Sequence, residues 1–241
     1  MPRGLPDYYN PDTLVSQRLA NVEEVVTALR GIPSIDNRGR TLFFENFNGN
    51  LSGWVSSSDE DGSVAVISTA QAMISPASAL LDAGTLGNSG SSWMWKNIQL
   101  GASALLGFET SLWYSSGAPT FRMDLRYDLA GDEFFARLEV RPASGEIRIH
   151  STDGSAIVGA VGYNGIATGA WLPLKVVADF ANGAYTRLIV GQEQIDVSAY
   201  ALTSSVLAVP GRAEFKIHCL AGNAVTNLAN IGHATGTVDE P

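Results

Sequence analysis

The sequence is poor in the side chains that build metal centres and disulfide frameworks. It has a single cysteine, Cys219, which excludes an internal disulfide and a zinc site made of several thiolates. Its three histidines, His150, His218 and His233, are scattered along the chain and leave little material for a histidine metal site. No apolar run reaches the roughly 18 residues that a transmembrane helix requires, so no membrane partner is expected.

Positive charge is also scarce. The 15 lysines and arginines are outnumbered by 24 acidic residues, and the net charge of -9 argues against nucleic-acid binding, which needs clustered cations. With 45% hydrophobic and 16% charged residues, the 241-residue chain can bury a sizeable core. Its first ten residues, MPRGLPDYYN, lack the pattern of a secretory signal, so we expect synthesis and folding in a reducing host cytoplasm.

The first forty residues differ from the rest of the chain. We predict an extended arm over residues 1–12, a helix over 13–30 and a linker over 31–40. The apolar positions of the helix follow steps of four and three residues, which is the spacing of a heptad seam: Val15, Leu19, Val22, Val26 and Leu29. Such a helix either packs on its own domain or forms a short coiled coil between subunits. A β-domain is predicted over residues 41–241.

From Thr41 onward, short apolar segments alternate with turns. In the segment 119–129, for example, Phe121, Met123 and Leu125 alternate with charged residues, which is typical of a strand with one buried face. We predict strands over residues 41–47, 63–68, 78–84, 91–100, 104–115, 119–129, 133–142, 145–152, 171–180, 184–191, 193–198, 213–220 and about 224–234. Many short strands without intervening helices indicate a mainly β fold, an antiparallel sandwich or barrel.

Two segments resemble a known superfamily. One is WLPLKVVADFANGAYTRLIVGQEQIDVSAY, with its pattern residues at Trp171, Leu174, Val176, Asp179, Asn182, Gly183, Tyr185, Val190, Gly191, Ile195 and Asp196. The other is the opening FFENFNGNLSGW, over residues 43–54. Together they are similar to concanavalin A-like, laminin-G-type jelly rolls over about residues 41–235. The resemblance implies an antiparallel two-sheet jelly-roll β-sandwich. We expect Asn182 and Gly183 to form a hairpin turn, since both residues tolerate positive φ, and Trp171 and Phe180 to lie in the core.

Catalytic signatures are missing from the sequence. Enzymes of this superfamily that cleave β-glucans carry carboxylates spaced as Glu-x-Asp-x-x-Glu or Glu-x-Asp-x-Glu on one strand, and neither pattern occurs here. The nearest candidates are Asp124, Asp128, Asp132, Glu133 and Glu139. A Gly-x-Ser-x-Gly elbow and a Gly-rich phosphate loop are also absent. We therefore predict no catalytic residues and no enzymatic activity.

Four aromatic residues beside Gly- and Ser-rich loops are candidates for glycan binding, because a flat ring matches the apolar face of a sugar. They are Trp93, Trp95, Trp113 and Tyr114. Trp93 and Trp95 are two residues apart, so on a strand they share one face. The alternative is that this face belongs to the core or to a subunit interface.

The acidic loop SSSDEDGS offers a candidate calcium site. Asp59, Glu60 and Asp61 supply several oxygens on one loop, as Ca²⁺ requires. A solvated acidic turn explains the same residues more simply, because no spaced Asp-x-Asp-x-Asp run accompanies them. Calcium is the one cofactor that the sequence suggests.

Three features together suggest a role in a bacteriophage virion: a lectin-like sandwich, the absence of a signal and of disulfides, and an arm followed by a heptad helix. This layout resembles that of capsid-decoration, head-fibre and tail-associated proteins. We expect a homo-oligomer, a trimer before a dimer, that docks on other virion proteins through residues 1–30 and displays a sandwich able to bind a host glycan. The alternatives are a freestanding glycan-binding module and a glycoside hydrolase.

The heptad seam provides the first test. Replacing both Val22 and Val26 with Asp would place unpaired charges in the seam and remove apolar contacts of about 1.5–3 kcal/mol each. We expect the double variant to have a lower molecular mass in light scattering, with an unchanged β-type circular dichroism spectrum. An unchanged mass would mean that the helix does not mediate assembly.

Overall fold

The computed structural model describes residues 38–51, 53–59, 63–73, 76–84, 90–100, 105–114, 119–129, 131–158, 169–206, 212–221 and 227–239. The predicted arm and helix over 1–30, and most of the linker, lie outside the described residues. The heptad positions Val15, Leu19, Val22, Val26 and Leu29 lie there too, so their role in assembly stays a prediction.

The described residues form β-strands and no α-helix, and none of them belongs to a helix that could cross a membrane. The strands are β1 (Arg40–Glu45), β2 (Val55–Ser58), β3 (Val64–Ser68), β4 (Ser78–Asp82), β5 (Ser91–Gln99), β6 (Leu105–Tyr114), β7 (Thr120–Leu129), β8 (Asp132–Arg141), β9 (Glu146–Ser151), β10 (Gly154–Ile157), β11 (Leu172–Asp179), β12 (Ala184–Val190), β13 (Glu193–Asp196), β14 (Thr203–Val206), β15 (Arg212–Leu220) and β16 (Leu228–Val238).

The strands pair into two antiparallel sheets. Sheet A has the order β13-β12-β11-β6-β16-β4-β3, and β1 pairs with β16 beside β4. Sheet B has the order β10-β9-β8-β7-β15-β5-β2, and β14 pairs with β8 beside β9. Each sheet turns one face inward onto a shared core and one face outward. The prediction of a mainly β, two-sheet antiparallel sandwich is confirmed.

Each of the thirteen predicted strands has a counterpart in this arrangement, and three short strands were missed. These are β2, β10 and β14, each four residues long and mostly exposed. Their sequences VSSS, GSAI and TSSV carry no apolar alternation. They pair with longer strands of sheet B along its margins, so the partner strand rather than local propensity determines their conformation.

Aromatic side chains from both sheets meet in the core. Phe108 of sheet A packs edge-on against Phe215 of sheet B, with ring centroids 5.3 Å apart. Tyr127 packs in the same way against Phe180, at 5.6 Å, and Phe180 is fully buried as predicted. Trp171 differs from the prediction, because it is only partly buried.

The position of Trp171 is explained by a glycine opposite it. A Cβ at Gly232 would come within 2.9 Å of the Trp171 ring and of Met73 Cβ. The indole therefore packs against the backbone of β16, at a place where a larger residue than glycine would push it away.

The opening segment buries its aromatic residues around Trp54. The ring centroids of Phe43 and Phe47 lie 5.9 and 6.0 Å from that of Trp54. Phe47 is fully buried and has a positive φ of 57°, a backbone conformation that costs a non-glycine residue about 1–2 kcal/mol. Burying a phenylalanine ring contributes about as much, so the packing offsets the backbone cost.

The predicted hairpin turn at Asn182 and Gly183 joins the antiparallel strands β11 and β12. Gly183 has a positive φ of 61°, whereas Asn182 does not have a positive φ. The Asp179 carboxylate accepts hydrogen bonds from the backbone N–H groups of Ala181 and Asn182, at 3.0 and 3.1 Å, and from the Asn182 side chain at 2.7 Å. A side chain therefore supports the turn in place of a second left-handed residue.

Tyr185 links the two sheets through its hydroxyl group. From β12 in sheet A the ring reaches across the core, accepts a hydrogen bond from the backbone N–H of Arg137 at 2.8 Å and donates one to the carbonyl of His150 at 2.6 Å. Burial raises the pKa of this hydroxyl well above its ordinary value, so it stays protonated and able to donate. Arg137 and His150 lie on neighbouring strands of sheet B.

We expect Tyr185→Phe to lower the free energy of unfolding by about 1–3 kcal/mol, because two buried backbone groups would lose a polar partner without any change of shape. Chemical denaturation monitored by fluorescence measures this. Tyr200→Phe is the matched control, since Tyr200 is only partly buried and its ring does not make this contact. Equal stability of Tyr185→Phe and the wild type would show that the hydroxyl is dispensable.

Candidate functional site

The outer face of sheet B collects polar side chains because its strands alternate. Met123 and Leu125 of β7 are fully buried in the core, so Arg122, Asp124 and Arg126 point the opposite way. In the same way, Ile217 of β15 is buried in the core, so Lys216 and His218 on either side of it point outward. This outward surface is the candidate site.

Register arranges the outward side chains in rows that cross five strands. The first row consists of Trp93, His218, Arg122, Glu139 and Arg148. The second row consists of Trp95, Lys216, Asp124, Arg137 and His150. Neighbours within a row have Cβ atoms about 4.5–5.5 Å apart, so each side chain contacts the next. We call these two rows the tryptophan rows.

The aromatic end of the rows combines two indoles with a lysine and a histidine. The ring of His218 lies 5.7 Å from that of Trp93, centroid to centroid. Lys216 Nζ lies over both indoles, 5.4 Å from the Trp93 centroid and 5.8 Å from the Trp95 centroid. Both tryptophans are partly buried, so each still presents part of its ring to solvent. Burial lowers the pKa of Lys216, and the nearby Glu214 opposes that shift.

Asp124 is bound firmly to an arginine. Arg137 donates to it through two nitrogens, Nε at 2.6 Å and Nη2 at 2.8 Å. Burial alone would raise the pKa of the Asp124 carboxyl, but the hydrogen bonds and charge of Arg137 outweigh it and hold the pKa below its ordinary value. The carboxylate is fully buried and charged beneath the guanidinium.

Glu139 is surrounded by two arginines and a histidine. Arg122 Nε donates to it at 2.5 Å, Arg141 pairs with its other oxygen, and His150 Nε2 lies 3.5 Å away. Burial alone would raise the pKa of Glu139, but the nearby His150 and the hydrogen bond and charge of Arg122 bring it well below the ordinary value. Neither this carboxylate nor Asp124 can hold a proton near neutral pH.

A different pair of carboxylates lies at the far end of the same face. Asp128 and Glu133 are opposite each other on β7 and β8. Arg212 Nε is 3.5 Å from Asp128 Oδ2, and Arg126 Nη1 is 3.5 Å from Glu133 Oε1. Burial raises the pKa of Asp128, Arg212 opposes that shift and the charge of Glu133 adds to it. Asp132, the remaining candidate, is exposed at the start of β8.

The four predicted aromatic residues do not form one surface. Trp93 and Trp95 share the outer face of sheet B, as their spacing implied. Trp113 and Tyr114 lie on β6 in the other sheet, where Tyr114 is buried in the core and Trp113 is partly buried. The residues that surround the tryptophans, Lys216 and His218, were not among the predicted site residues, although their alternation with buried residues in AEFKIHCL marks them as outward-facing.

The acidic loop is described only at Asp59, since Glu60 and Asp61 lie outside the described residues. The Asp59 carboxylate accepts hydrogen bonds from the backbone N–H of Ser91 at 2.6 Å and from its hydroxyl at 2.5 Å. Asp59 thus fixes the start of β5, two residues before Trp93. Within the described part of the chain, no group of three or more His, Cys, Asp or Glu side chains is arranged to bind a metal.

The outer face of sheet A also carries charged side chains, but these are buried and paired with one another. Lys175 Nζ lies 3.5 Å from Asp239 Oδ2, Arg187 pairs with the same oxygen, and the Lys175 and Asp239 side chains are fully buried. A Cβ at Gly107 would come within 2.8 Å of Asp239 Oδ1 and 3.0 Å of Lys175 Cε. These side chains are packed tightly against one another in the described part of sheet A.

Comparison with known proteins supports the fold. No protein-family model matches the sequence, and no curated protein matches it. Among solved structures, the cellulose induced protein Cip1 is similar with a TM-score of 0.53 and 13% identity, over 81% of this chain and 97% of that one. Arcelin-5, a lectin-like defense protein from Phaseolus vulgaris, has a TM-score of 0.51 and 9% identity, over 82% and 98%. The metal-free lectin I-B4 from Griffonia simplicifolia has 0.50 and 12%, over 81% and 98%. At these identities the likeness shows a lectin-like β-sandwich fold.

The environment of His218 makes stability depend on pH. Burial lowers its pKa to about 3, a shift that the charge of Asp124 opposes and that nearby cations increase, whereas in the unfolded chain a histidine has a pKa of roughly 6.5. Below pH 6.5 the unfolded chain therefore binds a proton that the folded protein does not. The free energy of unfolding is therefore independent of His218 above about pH 6.5 and decreases as the pH falls toward 3, by up to about 1.4 kcal/mol per unit.

We expect His218→Gln to flatten this dependence, since glutamine does not titrate. Denaturant unfolding at intervals between pH 5 and 7 measures it, because Asp124 and Glu139 lose their stabilising contribution only at lower pH, near and below their unfolded pKa values of roughly 4. Parallel stability curves for the variant and the wild type in this window would contradict the assignment.

Proposed function

We propose that this chain binds glycans through the outer face of sheet B and does not cleave them. The observation that carries the proposal is the pair Trp93 and Trp95, side by side and partly exposed on that face, at the end of two rows of polar side chains. The lectin-like fold provides the scaffold. The choice of ligand class rests on the side chains themselves, because one fold supports many functions.

The two indoles are spaced to contact consecutive parts of an extended ligand. Outward residues two positions apart on a strand lie about 6.5 to 7 Å apart, so a chain of sugar rings running along β5 can contact both. The indole faces would bind the apolar faces of the rings, and each indole has enough surface to serve as an anchor residue.

Hydrogen-bonding groups continue from the indoles into the sheet. Arg122 and Arg137 are held by Glu139 and Asp124, which fixes their guanidinium groups in place before any ligand arrives. Sugar hydroxyl groups accept hydrogen bonds from such donors, and preorganised donors lose little conformational entropy on binding. His218 lies between Trp93 and Arg122 in the same row.

The absence of cleavage is proposed from the state of the carboxylates. A glycosidase needs one carboxylic acid that keeps its proton near neutral pH and a second carboxylate about 5–10 Å away. Asp124 and Glu139 have lowered pKa values and are neutralised by arginines. A hydrolase remains the alternative, and the raised pKa of Asp128 beside Glu133 is the observation that favours it.

The biological setting is the second part of the proposal. We propose that the sandwich is displayed on a bacteriophage virion, as a capsid-decoration, head-fibre or tail-associated protein, anchored through residues 1–30 and assembled as a trimer. Its support is the heptad seam of the sequence. The Asp variant at Val22 and Val26 tests the assembly, and labelling of purified virions with an antibody to the sandwich tests the location.

We expect Trp93→Ala and Trp95→Ala each to lower the affinity for a bound polysaccharide at least about tenfold, because each removes a large stacking surface. The ligand would first be identified on a panel of immobilised polysaccharides, and affinities would then be measured by titration calorimetry. Trp113→Ala is the matched control: it removes the same side chain from the opposite sheet and is expected to leave the affinity unchanged.

Two outcomes would contradict the proposal. Loss of binding in Trp113→Ala but not in Trp93→Ala would place the site on the other sheet. Shortening of the bound polysaccharide during incubation, abolished by Asp128→Asn or Glu133→Gln, would favour the hydrolase.

A further inference from the structure

The charge on the outer face of sheet B is unevenly distributed. The two tryptophan rows contain four cationic side chains, Arg122, Arg148, Lys216 and Arg137, and two carboxylates, Glu139 and Asp124. With the histidines neutral, these rows carry a formal charge of +2. The next two rows toward the β7–β8 turn contain two cations, Arg126 and Arg212, and three carboxylates, Glu214, Asp128 and Glu133. The tryptophans therefore lie at the positive end of the face.

The positive end exposes hydrogen-bond donors and hides acceptors. The side chains of Asp124 and Glu139 are fully buried, while those of their partners Arg137 and Arg122 are 21% and 27% exposed. Arg122 donates to Glu139 through Nε, whereas Arg137 donates to Asp124 through both Nε and Nη2. Lys216 is the diagonal neighbour of Arg122 across β15 and β7, about 7–8 Å away at the Cα atoms. A ligand at this end meets donors and positive charge.

A neutral sugar makes limited use of such a surface. Its hydroxyl groups both donate and accept, and they are well matched by exposed carboxylates or amides, which the tryptophan rows do not offer. An anionic group instead accepts several charge-assisted bonds at once, and a planar guanidinium is especially suited to it. The surface is therefore complementary to a sugar that carries a negative charge.

We propose that the glycan bound at this face is acidic, with carboxylate or sulfate groups on its sugar rings. A ring stacks on Trp93 and Trp95, and its anionic group is bound by Lys216 and Arg122. This inference rests on the proposed glycan-binding function and adds the chemical class of the ligand.

The overall charge of the protein sharpens this inference. The chain has a net charge of -9, so a polyanion is repelled by the molecule as a whole. Adventitious polyanion binding is therefore disfavoured, and an acidic glycan that does bind must use the local positive end. Its affinity should decrease as the salt concentration rises, because the attraction is between exposed charges.

The experiment compares polysaccharides that share a backbone and differ in whether that backbone carries anionic groups. Polygalacturonate is compared with its methyl ester, which has the same backbone without free carboxylates, and dextran sulfate with dextran. Polyglutamate serves as an anionic polymer without sugar rings. We expect at least one acidic polysaccharide to bind at least about tenfold more tightly than its neutral counterpart, and to bind more tightly than polyglutamate.

Lys216 on β15 and Lys96 on the neighbouring strand β5 provide a test variant and its matched control. Lys216→Met removes the charge that lies over Trp93 and Trp95, whereas Lys96→Met removes the same charge from a lysine on the other face of β5, over Phe43 and Trp54. We expect Lys216→Met to weaken binding of the acidic polysaccharide about tenfold and to remove most of its preference over the neutral counterpart. Lys96→Met should leave both unchanged. Thermal unfolding verifies that both variants are folded.

The outcomes separate this inference from the function on which it rests. Equal affinity for an acidic polysaccharide and its neutral counterpart would overturn the charge inference and keep the glycan-binding function. Equal affinity for polyglutamate would overturn it too, because charge alone would then explain binding. No binding to any polysaccharide would overturn both. Preference for dextran sulfate over polygalacturonate would identify sulfate as the recognised group, and the reverse would identify carboxylate.

Discussion

The cross-strand register of sheet B determines which outward side chains become neighbours. If β15 slipped by one residue relative to β5 and β7, Lys216 and His218 would turn into the core, and Phe215 and Ile217 would face solvent. Both apolar residues are fully buried, and each contributes about 1.5–3 kcal/mol by its burial. The core thus fixes the register, and the register fixes the tryptophan rows.

The ion pairs of the site are better explained by positioning than by stability. Burying Asp124 and Glu139 carries a desolvation cost that the attraction of Arg137 and Arg122 offsets only in good geometry. What the pairs provide is orientation: each arginine is held at one end by a buried carboxylate and remains partly exposed at the other. Tyr185 supports this arrangement from below, because its hydroxyl binds the backbone N–H of Arg137.

The sequence predicted the sandwich well because alternation is a local property. The alternation of Phe121, Met123 and Leu125 with charged residues is enough to predict their strand. The two-residue spacing of Trp93 and Trp95 likewise predicts that both lie on one face of a strand. Which side chains surround the tryptophans could not be predicted from alternation. Trp93 and His218 are neighbours only because β5 pairs with β15, and local sequence does not encode that pairing.

The two outer faces of the sandwich show how similar side chains acquire different roles. On sheet A, Lys175 and Asp239 are fully buried and pack closely against the backbone of Gly107. On sheet B, the guanidinium groups stay partly exposed and continue the surface formed by the indoles. A buried charge that is already neutralised by its partner forms no additional favourable interaction with a ligand. A half-exposed cation that is anchored by a buried carboxylate still has donors facing solvent, and these can exchange water for an anionic sugar without rearranging the sheet.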